Sequence, residues 1–293
     1  MKCDCQHIFK IFKIVRKTIK NKYQLKKINL SRADLSGKDF AGHNFNEANL
    51  SGADLSNASL EKTNLIWADL NGVILQGSNC DRALFHFASL LWADLSGASL
   101  IEADFSCAKA SQANLKKARC DRAKFMGAAL DGANLTAGSF QGANFFNANL
   151  TGAGLTDADL SATNLDRAEL QQAHLQNANL IEAQLINANM TAADLTGAVI
   201  RFAELELADL SYANLSNCDL SHSSLFGANL TGAILNDAKL LNTDLRQANL
   251  ENARLQNVDF TQCRVAGAIF TNAKGLTTIQ RRWFKENGAL NIC

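Results

Sequence analysis

The chain has 293 residues, 47% of them hydrophobic, and not one proline. At the usual frequency of about 5% a chain this long carries roughly fifteen, so proline-rich linkers are excluded and something bars proline along nearly the whole length. Lys and Arg total 29 against 28 Asp and Glu, a net of +1, so total charge points to no class of partner.

The sequence contains no apolar run of about 18 residues that would span a bilayer. Lys10, Lys13, Arg16, Lys17 and Lys20 break up the apolar core a secretory signal needs, which makes a reducing cytoplasm the expected location. Eight cysteines at positions 3, 5, 80, 107, 120, 218, 263 and 293 lack the dense spacing of a disulfide framework.

Residues 1–27 read as an N-terminal cap with a basic amphipathic helix. At helical spacing Ile8, Phe12, Val15, Ile19 and Tyr23 share one stripe, while Lys10, Lys13, Lys17 and Lys20 lie opposite. The stripe suits a cap over whatever core follows. The lysines also suit docking on an anionic membrane surface, or on an acidic partner. Ahead of the helix, Cys3, Cys5 and His7 cluster, but three such groups without a second half-site do not define a metal centre. A disordered terminus is the simpler reading, with thiol acylation as a lesser alternative.

From Leu30 every fifth residue is apolar, counting Cys, through forty-nine positions to Phe270 without an insertion. Two residues before each stands a small side chain, usually Ala, with Asp or Asn commonly between them; Ala93-Asp94-Leu95-Ser96-Gly97 is a complete unit. A period of five fits neither helix nor flat strand. It fits a chain that turns a corner every five residues and sends one small and one large side chain inward. Four such units close a square coil of twenty, stacked on the next through backbone ladders at about 4.8 Å. Proline would remove a ladder donor. Residues twenty apart support the square: Phe85, Phe105, Phe125 and Phe145 form one column, and Leu35, Leu55 and Leu75 begin another that stays leucine to Leu255. A coil of fifteen would scatter the phenylalanines.

These units resemble the pentapeptide-repeat family, whose motif is Ala-(Asp/Asn)-Leu-X-X, over residues 28–274. The resemblance implies an all-β solenoid, a right-handed quadrilateral β-helix of mostly bacterial proteins, here of about twelve coils with short helical caps at both ends. Lys38 and His43 stand where Ala is usual and suggest an irregular first coil, while Val258 and Cys263 mark a loosened last one.

Residues 275–293 read as a C-terminal helical cap. Thr277 or Thr278 can serve as N-cap, Ile279 and Trp283 lie one turn apart, and Gly288 is a helix stop. Trp283 and Phe284 are adjacent and cannot easily both face one small coil end. Because gyrase-targeting members of the family dimerise through a C-terminal helix, the resemblance also implies a homodimer through Trp283 or Phe284; a plain cap is the favoured reading.

Charge is segregated. Residues 1–29 carry nine basic residues and one acidic, a net of +8; residues 30–273 carry 16 and 26, a net of −10; the tail from 274 carries four and one, a net of +3. An acidic rod of this family raises a DNA-mimicking modulator of a type II topoisomerase as an alternative. Against it, Lys109, Lys116, Lys117, Arg119, Arg122 and Lys124 face only Asp121 in one stretch, a basic belt where such a mimic needs continuous negative charge. The belt lacks interleaved aromatics, so direct nucleic-acid binding is not expected.

No catalytic constellation emerges. The five histidines at 7, 43, 86, 174 and 222 have no zinc-motif spacing, and the recurrent Asp residues follow from the motif, hydrogen-bonding at corners or facing water. No enzyme, metal site or cofactor is expected. What stands out is apolar residues at outward positions: Ile66, Trp67, His86, Phe87, Leu91 and Trp92 fall on adjacent coils. They are either aromatics lying flat along the corners or a patch for a protein partner or self-association. The sequence thus describes a non-enzymatic structural or protein-interaction scaffold, cytoplasmic, with peripheral membrane association through the basic helix as a second alternative.

Overall fold

The computed structural model describes residues 25–292. The expected basic helix with Lys10, Lys13, Lys17 and Lys20, together with Cys3, Cys5 and His7, lies outside the described residues.

The backbone is a coil with a period of twenty. The residue between the small and the large inward side chain of each pentad pairs in parallel with the residue twenty further on, from Asn29 with Asn49 to Arg254 with Lys274. Between successive bridges the chain turns, so each coil has four sides and four corners. Every inward position from Leu30 to Phe270 is buried except Lys38. The phenylalanine column is a true stack, with ring centroids 4.4 Å apart from Phe85 to Phe105, 5.0 Å from Phe105 to Phe125 and 4.7 Å from Phe125 to Phe145.

Why proline is absent follows from one pentad. The Leu50 N–H donates to Asp69 in the next coil, Gly52 N–H to Asn71 of that coil, Asp54 N–H back to Ala33 of the preceding one, and Ala53 N–H closes the turn on Leu50. The fifth donor, Ser51 N–H, has no ladder partner and is taken by the Asn49 side chain at 3.0 Å. All five donors are engaged. Even the second residue of the turn, where proline is ordinarily welcome, needs its N–H. This is the job of the recurrent Asp or Asn. In some pentads that lack it the coil below supplies a substitute: Leu91 N–H reaches Asn71 Oδ1 and Ile101 N–H reaches Asp81 Oδ1, both at 3.0 Å.

The third turn residue adopts positive φ along the rod, as a type II turn requires. Glycine meets that demand at Gly227 and Gly232, and a second constraint acts there: an added Cβ would come within 2.8 Å of Leu207 and Tyr212, whose side chains lie over those backbones.

The first coil is regular, contrary to expectation. Ser59 and Asn64 N–H groups donate to the carbonyls of Lys38 and His43 at 2.9 Å. The ladder sets the coil, and the two oversized side chains adapt to it: Lys38 is exposed, and His43 sits edge-on to Phe40 with centroids 5.8 Å apart. The last coil is loosened, as Val258 and Cys263 suggested. The Val258 turn bond is 3.5 Å and the Leu240 N–H to Asp259 bond 3.3 Å.

Beyond the coils lies a helix, α1, Thr278–Glu286, opened by a capping box between Thr277 and Gln280. Phe284 is fully buried, stacked 4.4 Å from Phe270 and edge-on 4.9 Å from Phe260. Of the two adjacent aromatics, Phe284 therefore covers the coil end. Trp283 is half-buried, and Ile279 is 82% exposed. After Gly288 the chain returns to pair Leu290 with Ile269. Among the described residues, no helix is long and apolar enough to cross a membrane.

Candidate protein-interaction surface

The outward apolar residues converge on two neighbouring corners. Trp67 and Phe87 occupy the same corner in successive coils and stack at 4.4 Å with an interplanar angle of 12°. His86 meets Phe87 edge-on at 4.4 Å, and its Nδ1 lies 3.6 Å from Asp104. Trp92 holds the next corner. Trp67, Phe87 and Trp92 remain 59%, 39% and 68% exposed, while Ile66, His86 and Leu91 are half-buried beside them. The Trp67 and Phe87 rings stack on one another from coil to coil and, with Trp92, present a broad apolar ridge to solvent.

Backbone conformation adds a point that sequence reading missed. Trp67, Phe87 and Trp92 are the third residues of their turns, with φ of 61°, 57° and 56°. Bulky side chains are disfavoured there, at a cost on the order of 1–2 kcal/mol each relative to ordinary backbone. Neither burial nor backbone ease accounts for three aromatics at these places, which directs attention to function.

A second group was also missed. Phe202, Leu207 and Tyr212 are 47%, 57% and 66% exposed and have positive φ as well. Leu207 shares the corner of Trp67, and Tyr212 that of Trp92, being whole multiples of twenty residues further on. Phe202 stacks on His222 at 4.9 Å. Scanning outward positions by their place in the coil would have found this group.

The basic belt is partly neutralised. Arg122 pairs with Glu102 at 3.0 Å, and Lys124 approaches Asp104 at 4.0 Å. Lys109, Lys116, Lys117 and Arg119 form no ion pair among the described residues. The most enclosed carboxylate is Asp244, 4% exposed, held by Arg246 at 2.7 Å and Arg264 at 2.8 Å. Burial pushes its pKa up, but the Arg246 side chain and backbone N–H, with Arg264, outweigh this and leave it below the usual range. Bonds from the Ser36 hydroxyl and backbone likewise lower Asp34, and those from Thr261 lower Asp259.

Folded pKa values below the unfolded ones add stability above the unfolded carboxylate range, near pH 4, that disappears as pH falls through the folded values. The melting temperature should therefore hold from about pH 8 to 5 and fall below about 4, with Asp244→Asn showing a smaller drop on acidification. Thermal unfolding by circular dichroism checks this; an unchanged midpoint at pH 3 would exclude the linkage.

Nothing in the described part assembles reactive chemistry. No group of three His, Cys, Asp or Glu residues is placed to hold a metal among the described residues. Cys80, Cys218 and Cys263 are buried thiols pushed up to about 12, chiefly by burial, and remain protonated. Cys80 and Cys120 share a column with Leu100 between them, and both are free. A groove of about 360 Å³, lined by Phe260, Ile279, Gln280 and Trp283, separates α1 from the last coil; it holds no catalytic grouping.

These features define a tandem-repeat solenoid with an apolar surface ridge. The family profile of pentapeptide repeats matches in eight copies within residues 28–274, and the chain belongs to the pentapeptide-repeat family, whose fold is a right-handed quadrilateral β-helix. Among solved structures it is similar to HetL, a protein involved in heterocyst differentiation regulation in the cyanobacterium Nostoc, with 30% identity over 90% of this chain and 97% of that one and a TM-score of 0.40. It is also similar to QnrB1, a plasmid-mediated fluoroquinolone resistance protein, at 19% identity over 80% and 92% of the chains, TM-score 0.42. A third similarity is to Rfr23 from the cyanobacterium Cyanothece, at 36% identity over 31% and 62%, TM-score 0.31. A search of curated protein sequences found no match.

Proposed function

We propose that this protein is a non-enzymatic interaction scaffold, a rod of about twelve coils that displays an aromatic ridge to a protein partner. The observation that carries this reading is the ridge of Trp67, Phe87 and Trp92, exposed and stacked on disfavoured positive-φ backbone. Large aromatics are the side chains that most often dominate binding energy when a partner covers them. A regular β-helix whose core is filled by Leu, Ala and Phe offers no enclosed pocket in which an acid, base or nucleophile would converge.

Replacing all three residues with Asn, which tolerates positive φ, tests the reading. The variant should melt at or above the wild-type temperature, yet lose one or more proteins that wild type captures from an extract of the source cell. Identical captured sets, compared by mass spectrometry, would remove the ridge from consideration.

A topoisomerase modulator acting by resemblance to duplex DNA is less well supported, because Lys109, Lys116, Lys117 and Arg119 interrupt the negative surface. Gyrase supercoiling unaffected by micromolar protein is the expected result.

A further inference from the structure

On the side of the rod opposite the aromatic ridge, the pattern of charge is self-complementary. This side runs from the corner holding Lys117 and Asp157 to the corner holding Arg82 and Arg122. Its outward residues in three successive coils are Lys117 with Arg119, then Ala137 with Ser139, then Asp157 with Asp159. A pair of cations and a pair of carboxylates thus flank a centre of small residues, at equal distances of one coil, about 4.8 Å. Among the described residues, Lys117, Arg119, Asp157 and Asp159 take part in no ion pair. The carboxylates accept only neutral donors, from Asn177 to Asp157 at 3.2 Å and from Asn179 and the Ser161 backbone N–H to Asp159, each at 3.0 Å.

We propose that this side is an interface between two copies of the chain, packed antiparallel about a two-fold axis level with Ala137 and Ser139. A two-fold axis lying across the side keeps each position in the coil opposite itself and reverses the order of coils. Lys117 then meets the partner's Asp157, and Arg119 the partner's Asp159, with both contacts repeated by symmetry. Two further positions obey the same operation. Ile101 meets Ile181, and Asp81 meets Arg201, an exposed cation whose guanidinium rests 5.4 Å from the Phe202 ring. The parallel arrangement is penalised, since it sets Arg119 on Arg119 and Asp159 on Asp159. One like-charge encounter remains in the antiparallel dimer, Glu102 with Glu182. It is softened by Arg82 and Arg122, which bracket Glu102 at 2.7 and 3.0 Å.

Small residues allow the approach. The Lys117 corner carries Gly77, Gly97, Ala137 and Gly197, so little projects from it except the paired charges. With a side about 10 Å wide and twelve coils at about 4.8 Å each, such a dimer buries about 1,200 Å² in total, the lower edge of specific interfaces. Its association is therefore salt-sensitive, and it leaves the aromatic ridges of both copies facing outward.

The test is sedimentation velocity on the full-length protein and two charge-reversed variants, with fold checked by circular dichroism. One variant is Lys117→Asp with Arg119→Asp; the other is Asp157→Lys with Asp159→Lys. Wild type should dimerise at about 50 mM salt and weaken several-fold at about 500 mM. Each variant alone should dimerise at least about tenfold more weakly, because its copies oppose like charges. Mixed one to one, the two variants should form a heterodimer, since each supplies what the other lacks. A wild type monomeric at about 100 μM, a variant that still dimerises like wild type, or a mixture that stays monomeric would each overturn the proposal. Asn substitution of Trp67, Phe87 and Trp92 should leave dimerisation unchanged, which separates this interface from the ridge.

Discussion

Phe105→Ala is expected to lower the unfolding free energy by about 3–5 kcal/mol, a large share of a typical domain's stability. The ring is 1% exposed and lies between Phe85 and Phe125, stacked on both faces. Removing it leaves a gap that neighbours in an ordinary core would partly fill by shifting. Here they are held by the ladder: Phe105 N–H donates to Lys124, and Phe125 N–H to Asn144, each at 2.7 Å. The coils cannot close on one another without breaking those bonds, so the cavity persists and the cost falls at the upper end. Because each coil contacts only its neighbours, the damage should also be local. Hydrogen exchange should accelerate first in the coils around residue 105, and urea unfolding should broaden. Phe105→Leu, which retains most of the volume, should cost less than half as much. A cooperative, wild-type urea transition for Phe105→Ala would mean that the stack contributes little.

The same ladder explains which features were legible in the sequence. The inward positions were, because a fifth-residue apolar register with an Ala two places earlier has few physical solutions, and the Phe85 to Phe145 column distinguishes a coil of twenty from one of fifteen. The role of the recurrent Asp and Asn was half legible. That they act at corners follows from their polarity, but the particular donor they serve, the one N–H per pentad with no ladder partner, appears only when every backbone bond is traced. The consequences of Lys38 and His43 were misread, since substitution at an inward position was expected to disturb the coil. Side chains there can swing out or turn edge-on while the backbone pairs as before. The ridge of Trp67, Phe87 and Trp92 was visible as misplaced apolar residues; its backbone strain follows only when the glycines, which gather at the third turn residue as in Ser96-Gly97, are read as marking positive φ. The second group, Phe202, Leu207 and Tyr212, lies too far along the chain from the first to be associated with it until the residues are sorted by corner.

Phe284→Asp is expected to convert a well-behaved protein into one that self-associates through its C-terminal end. The last coil has no successor to receive its ladder, and an uncovered end exposes both apolar core and unpaired backbone. Three contacts close that end. The Phe284 ring lies on Phe270 and against Phe260. Gln280 Nε2 donates to the Val258 carbonyl at 3.0 Å, where the coil is loosest. The returning chain supplies ladder partners, with Gly267 N–H donating to Gly288 at 2.8 Å and Leu290 N–H to Ala268 at 2.7 Å. A carboxylate at position 284 would sit against phenylalanine rings with no cation in place to receive it, a penalty of several kcal/mol. α1 has nine residues, too few to persist in water without packing, so it should detach as a unit and take the return segment with it. Size-exclusion chromatography with light scattering should show large species that grow with concentration and resist salt, unlike the salt-sensitive antiparallel dimer. Trp283→Ser is the matched comparison: Trp283 is half-buried, lining the groove and packing on the edge of the core, so this change should leave the protein soluble and cost less than Phe284→Asp. If Phe284→Asp ran at the wild-type size with an unchanged melting temperature, the coil end would need no cover, and the burial of Phe284 would have another purpose.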